Sequence, residues 1–213
     1  MEEALTYQQK LRRWQELEEE SARVEVQPGI RETVVALQAL GIHTVEASEG
    51  YPDKEPLFPY VKVAIPEYEQ EAQRVEQADQ EAKQARNLLS RFQRADEGKK
   101  AELQDRVPSR EEVIHQARVT TEMRHTLLEK HLPIITQLFV HLTAFYQDRA
   151  ISFDCALVVT TNGIGRVIVR SQGAILQADR TPEEQAHHFQ AYQSEMKEFT
   201  AFLKQLYFSS SDQ

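Results

Sequence analysis

Ser48, Glu49, Gly50 and Tyr51 are the densest group of chemically able residues in this sequence. They sit where an expected strand ends and the loop Ser48–Pro59 begins, a stretch that also holds Asp53 and three of the eight prolines. Side chains on a strand-end loop are fixed by a rigid scaffold and still meet solvent. In that setting Ser48 is a candidate nucleophile, Glu49 a candidate base or ligand, and Gly50 a point of close backbone approach. A serine needs a base to activate it, and no histidine partner is identifiable for Ser48. The competing reading is a strand-to-strand connection made of ordinary turn residues.

A second group is cationic. Arg166, Ile168 and Arg170 alternate along an expected strand, which puts both guanidiniums on one face. Lys62 and Arg180 join them if the sheet is arranged suitably, and such a cluster suits a phosphate or carboxylate. Long charged residues on a solvent-facing strand also guard against unwanted edge pairing. The nearby Asn162-Gly163-Ile164-Gly165 joins two strands and precedes no helix, so it is not a phosphate loop. A third group has the spacing of helical di-metal sites, in Glu112-x-x-His115, Glu122-x-x-His125 and Glu184-x-x-His187. Such a site must face a bundle interior, whereas Glu112 and His115 fall opposite the apolar face expected for their helix. Solvated helix residues are the better account, and neither a metal nor a cofactor is implied. His43, on an expected strand, and His141, among Leu138, Val140 and Leu142, read as structural. Cys155, beside Ala156 and Leu157, reads as a small hydrophobe in a buried strand.

Around the serine loop the chain resembles a family of uncharacterised bacterial proteins. The residues that carry the resemblance are Pro28-Gly29-Ile30-Arg31-Glu32-Thr33, Leu40-Gly41-Ile42-His43-Thr44, Glu49-Gly50 and Pro59-Tyr60-Val61. Members carry a run of the form Gly-Ile-x-Thr-x-x-Ser-Cys-Glu-Gly-His before a strand containing Pro-Tyr. Ser48 stands here at the cysteine position and Tyr51 at the histidine position, so a thiolate–imidazole pair or soft metal site is absent. Only Glu49 and Gly50 carry over. The resemblance implies organisation over about residues 28–65 and no activity.

Composition narrows the classes further. With 25 Lys and Arg against 34 Asp and Glu, the net charge of −9 argues against a general nucleic-acid binder. At 40% hydrophobic and 28% charged residues the chain is ordinary for a globular protein. No apolar run is long enough to span a bilayer. One cysteine allows no internal disulfide, and the start MEEALTYQQK is unlike a secretory signal, so a reducing cytoplasm is expected.

The elements that position these residues can be read from periodicity. A helix over 1–23 has a thin stripe of Leu5, Leu11, Trp14 and Leu17, narrow enough to fray or to bind something else. A second helix spans about 30–40 and ends at Gly41. Strands are expected over Ile42–Ala47, Tyr60–Ile65, Asp154–Thr160 and Gly165–Arg170, with Asn162-Gly163 turning the last pair into a hairpin. A further short strand is expected at Ala174–Gln177. Residues 66–131 read as a helical hairpin, partly an antiparallel coiled coil, with an Ala-rich, near-heptad seam and a capping box at Ser109–Glu112. Pro133 is expected to kink or interrupt the second arm, and Ile135, Leu138, Leu142 and Phe145 to place 133–148 in the core. Thr181-Pro182-Glu183-Glu184 caps a final helix, and 209–213 read as a disordered tail.

The expectation is a single α+β domain over 1–208: a small, mainly antiparallel sheet from two distant β-pairs, covered by helices, with the hairpin inserted. Its favoured function is non-catalytic: a cytoplasmic interaction or assembly protein forming a homodimer, or joining a protein partner, through helices. The alternative is a small-molecule binder or enzyme using the 47–59 loop, with Ser48, Glu49 and Tyr51, and Arg166 or Arg170 for an anionic group. Neither nucleic acid nor membrane is an expected partner.

Overall fold

The computed structural model describes residues 5–51, 58–175 and 181–209. Asp53 and Arg180, and residues 210–213 of the expected tail, lie outside them, while Ser209 is the last residue of a helix. The chain divides into two compact units, one formed by 1–65 with 132–213 and the other by 66–131. The fold class is α+β.

In the first unit four strands, β1 (Thr44–Ser48), β2 (Tyr60–Val63), β3 (Leu157–Thr161) and β4 (Val167–Ser171), form one sheet in the order β1-β2-β4-β3. All neighbours are antiparallel. The two β-pairs join through β2 and β4, where Val61 faces Val169 and Val63 faces Val167. Strand periodicity puts those four valines on the inner face, and all are buried. They pack with Leu138, Leu142, Phe145, Met196, Phe199 and Leu203 in one core cluster. These residues come from helix α5 (Arg110–Tyr146) and helix α6 (Pro182–Ser209).

Helices α1 (Tyr7–Arg23) and α2 (Pro28–Ala39) complete the layer. The stripe of α1 neither frays nor waits for another chain. Trp14 and Leu17 are buried in the core cluster, and Trp14 stacks beside Tyr207 and Phe208 of α6. Lys10, outside that apolar stripe, is also buried: its Nζ donates to the Tyr207 carbonyl at 2.7 Å and its own carbonyl accepts from the Tyr207 hydroxyl. A cation at the C-terminal end of α6 meets carbonyls that have no partner within the helix, which is favourable. The hydroxyls of Thr33 and Thr200 tie α2 to α6 at 2.6 Å.

Other expectations need correction. Ala174 and Ile175 lie in a 3₁₀ turn (Gln172–Ile175) rather than a strand. Pairing stops there because the Gly173 N–H donates to the Asp154 carbonyl, and Ala174 buries against Phe58 and Tyr192. Cys155 is half-buried in the turn before β3, its N–H donating to the Ser152 carbonyl. Pro133 lies inside α5 without ending it.

The second unit pairs α3 (Tyr68–Arg94) with the first part of α5, and a short unanticipated helix, α4 (Glu97–Leu103), follows α3. Contacts between the arms run antiparallel: Tyr68 with His131, Glu71 with Lys130, Asp79 with Arg124, and the Ala78 carbonyl with the Thr120 hydroxyl. The residues buried on α3 include Tyr68, Val75 and Ala82, seven apart, and on α5 Val113, Thr120 and Leu127, again seven apart. Spacing expects Val113, Ile114, Ala117, Thr121 and Leu128 on one side of this helix; the inward face keeps Val113 but is rotated from that one, and Ile114 and Leu128 point outward. The capping box forms as read, with the Ser109 N–H donating to Glu112 and the Glu112 N–H to Ser109.

His131 is 1% exposed, its Nδ1 2.6 Å from the Leu127 carbonyl and its ring edge-on to Tyr68. Burial lowers its pKa below the ordinary 6.5, with the Leu127 contact acting against that; burial lowers His141 in the first unit likewise. Each folded unit thus refuses a proton that the unfolded chain accepts, so stability is complete above about pH 6.5 and falls as pH drops toward the folded values. Thermal melts should therefore shift downward between about pH 7 and pH 5. His131→Leu should shift less than the wild type. An identical shift would show that His131 titrates as freely folded as unfolded.

Candidate functional site

The loop after β1 is organised by a residue that sequence reasoning passed over, Gln27, the N-cap position of α2. Its side-chain carbonyl accepts from the Ser48 hydroxyl at 3.2 Å and from the Glu49 N–H at 2.8 Å. Its amide nitrogen donates to the Tyr51 hydroxyl. The Ser48 hydroxyl also accepts from the Gly50 N–H at 3.1 Å, and Ser48 is 5% exposed. Ser48 donates to an amide carbonyl, which cannot take its proton, so among the described residues this hydroxyl is not paired with a base.

Glu49 acts on the backbone. Its carboxylate accepts the Gly29 N–H at 2.7 Å in the first turn of α2, where unpaired N–H groups and the helix dipole favour an anion. Its main-chain carbonyl accepts from Gln193 of α6. Gly50 adopts φ +77°, and a Cβ there would lie 2.7 Å from the Phe58 backbone. Ser48, Glu49, Gly50 and Tyr51 are thus brought together as a clasp joining the end of β1 to the start of α2 and to α6. Only the glutamine's position at a helix start, before Pro28-Gly29, hinted at its part.

Arg166 and Arg170 belong to the outer face of the sheet. Register sets Ser48, Tyr60 and Arg170 in one row across β1, β2 and β4, so Arg170 lies two strand spacings, roughly 10 Å, from Ser48. Lys62 joins the arginines on this face, next to Ile168, but it is already paired: its Nζ lies 2.7 Å from the Glu46 carboxylate. Burial raises the Glu46 carboxyl, but the hydrogen bonds from Lys62 and Tyr60 and the nearby charges of Lys62 and Arg166 outweigh it and hold the group below its ordinary range. Burial and then the Glu46 hydrogen bond push the Tyr60 phenol well up. The Nε of Arg170 is buried and has no hydrogen-bond partner among the described residues.

The Glu-x-x-His spacings have a local explanation. Glu112 and Glu184 are the third-position carboxylates of capping boxes, accepting the N–H groups of Ser109 and Thr181. Glu122 pairs with Arg118 and His125 with Glu129 on an exposed face. Among the described residues no three His, Cys, Asp or Glu side chains are grouped to hold a metal. His43 is half-buried just before β1, and its carbonyl accepts the Ala64 N–H. His141 is half-buried, with no partner for its Nε2 among the described residues.

Another feature missed from the sequence lies at the opposite sheet edge. Tyr146 accepts the Leu157 N–H at 2.7 Å and donates to Glu195 at 2.8 Å. Arg149 pairs with that buried glutamate and with Glu198. Burial pushes the Tyr146 phenol up, and Glu195 adds to the shift. This network borders a groove of about 680 Å³ between α5 and β3, lined by Phe139, Leu142, Thr143, Tyr146 and β3 itself.

No family model, no curated protein and no solved structure matches the chain. Among the described residues, no helix is long and apolar enough to cross a membrane.

The clasp predicts a stability role for Ser48. Ser48→Ala should cost about 1–2 kcal/mol, because the buried Gly50 N–H and the half-buried Gln27 carbonyl each lose a hydrogen bond. Gly50→Ala should cost about 2–4 kcal/mol through left-handed strain and the clash with Phe58. Urea unfolding measures both. A Ser48→Ala protein as stable as the wild type would contradict the clasp.

Proposed function

We propose that the protein is a non-catalytic interaction or assembly protein that associates with copies of itself, acting in a reducing cytoplasm. The observation that carries this reading is the placement of apolar side chains outward on α5. In the 66–131 unit, Ile114 and Leu128 are 58% and 46% exposed, two heptads apart on one side of the helix. Ile114 and Leu128, with Thr121 midway between them, lie on one side of the helix, and exposed apolar residues at heptad positions are what a partner helix buries in a coiled coil. The hydrogen bonds of Ser48 and Glu49 add support, since they engage the candidate nucleophile and base in holding the fold.

A second reading retains a small anionic ligand on the outer sheet face, favoured by the Nε of Arg170, which has no partner among the described residues, beside Arg166 and Lys62. It requires neither Ser48 nor Tyr51 as a catalyst.

Self-association makes apparent stability depend on concentration by mass action. Light scattering coupled to size-exclusion chromatography should give a mass above that of one 24.6 kDa chain. The melting midpoint should rise over a roughly hundredfold increase in protein. A single-chain mass with a constant midpoint would contradict the reading. Stabilisation by inorganic phosphate, abolished in Arg170→Ala, would favour the anion site instead.

A further inference from the structure

We propose that the open edge of β3 pairs with β3 of a second copy, antiparallel across a two-fold axis at Thr160, so that two four-stranded sheets become one of eight. The proposal rests on the self-association read above and adds to the α5 stripe a second interface, at the sheet edge.

β3 is an edge strand, and its sequence, Leu-Val-Val-Thr-Thr, carries none of the usual protection. Exposed edges are normally blunted by a charge, a proline or a bulge. Here there is neither charge nor proline, and the register with β4 is unbroken from Leu157 to Thr161. Among the described residues no other strand pairs with that edge.

The hydrogen bonds at its two ends identify the open groups. The Gln172 N–H donates to the Ala156 carbonyl and the Asn162 N–H to the Arg166 carbonyl. Antiparallel ladders alternate, so Val158 and Thr160 exchange bonds with β4, while Leu157, Val159 and Thr161 turn their peptide groups outward. The outward Leu157 N–H is taken by the Tyr146 hydroxyl. Among the described residues the outward N–H groups left are those of Val159 and Thr161. The register that uses both sets Val159 opposite Thr161 of the second copy, twice by symmetry, and centres the axis on Thr160.

An independent orphan lies at that centre. The Thr160 hydroxyl is buried and has no partner among the described residues. In this register Thr160 faces itself in a closely spaced pair, and paired threonine hydroxyls bond to each other across strands.

The space above the edge suits the same occupant. Part of α5 overhangs β3, and the groove beneath it has no charged residue among those that line it, Phe139, Leu142, Thr143, Tyr146, Gln147, Leu157, Val158, Val159, Thr160 and Gln172. An incoming strand would lay its inner-face side chains there. A neutral lining favours no oppositely charged partner, and two chains of charge −9 meet at least electrostatic cost where neither presents charge. Phe139, 52% exposed, and Leu132, seven residues earlier and also exposed, would then meet the same helix of the second copy. An antiparallel strand pair is self-complementary, as a two-fold interface requires.

The test compares Thr161→Pro and Phe139→Glu with Ile114→Glu/Leu128→Glu, by scattering mass across a dilution series. Proline at an outward N–H leaves the β4 ladder intact. Either edge variant should raise the concentration for half-dissociation by about tenfold or more; the hairpin variant removes only the α5 contact and should leave the slow exchange of Val159 and Thr161 in the concentrated sample intact. Amide exchange on the wild type needs no variant: Val159 and Thr161 should exchange slowly in the concentrated sample and fast on dilution. Dimers that survive both edge variants, with Val159 and Thr161 exchanging alike at all concentrations, would overturn the β3 interface and leave self-association standing. A single-chain mass at every concentration would overturn both, and would leave the edge to a strand from a different protein.

Discussion

Four valines hold the first unit together. Val61 and Val63 of β2 meet Val169 and Val167 of β4, joining strands separated by about a hundred residues of sequence. Without that join each β-pair would be an isolated hairpin, marginal in water. With it, one apolar sheet face is continuous, and Phe199 and Leu203 of α6 and Leu138 and Leu142 of α5 have a surface to cover. The non-local pairing also means that α1, at the far end of the chain, docks against α6 through Lys10 and Trp14.

A four-stranded sheet has two edges, and the molecule treats them differently. Near β1, Glu46 pairs with Lys62 and Tyr60, and the Gln27 clasp secures the strand end to α2. Along β3, among the described residues, only Leu157 has its outward N–H fastened, by the Tyr146–Glu195–Arg149 network at its start, and the rest is neutral and β-branched. That asymmetry makes β3 the side where assembly is proposed. Buried charge pairs such as Glu195 with Arg149 contribute little net stability but fix geometry, here the position of the first edge residue under α5.

Much of the fold was legible in the residues because local rules and tertiary demands agree. Asn162-Gly163 turns the hairpin, and the serine and threonine capping boxes start their helices where the pattern put them. The errors arise where a tertiary partner overrides a local pattern. Lys10 reads as surface, yet it serves the C-terminus of α6, 197 residues away. On α5, Ile114 and Leu128 are more apolar than Thr120 and His131, yet the polar pair is buried because Thr120 meets the Ala78 carbonyl and His131 meets Tyr68. The candidate loop was found as a cluster, but its chemistry depends on Gln27, whose bonds no spacing rule reveals. The groove over β3 was invisible because it exists only once strand order makes β3 an edge.

In the proposed dimer Thr160 lies on the two-fold axis. In a Cys155→Ser background, Thr160→Cys would place two thiols at a closely spaced antiparallel pair, within the Cα separation a disulfide spans. Val158→Cys would set them roughly 14 Å apart along the strands. Mild oxidation should yield a covalent dimer from Thr160→Cys and none from Val158→Cys. Equal cross-linking of the two, or none from Thr160→Cys in a sample whose mass is dimeric, would contradict the account.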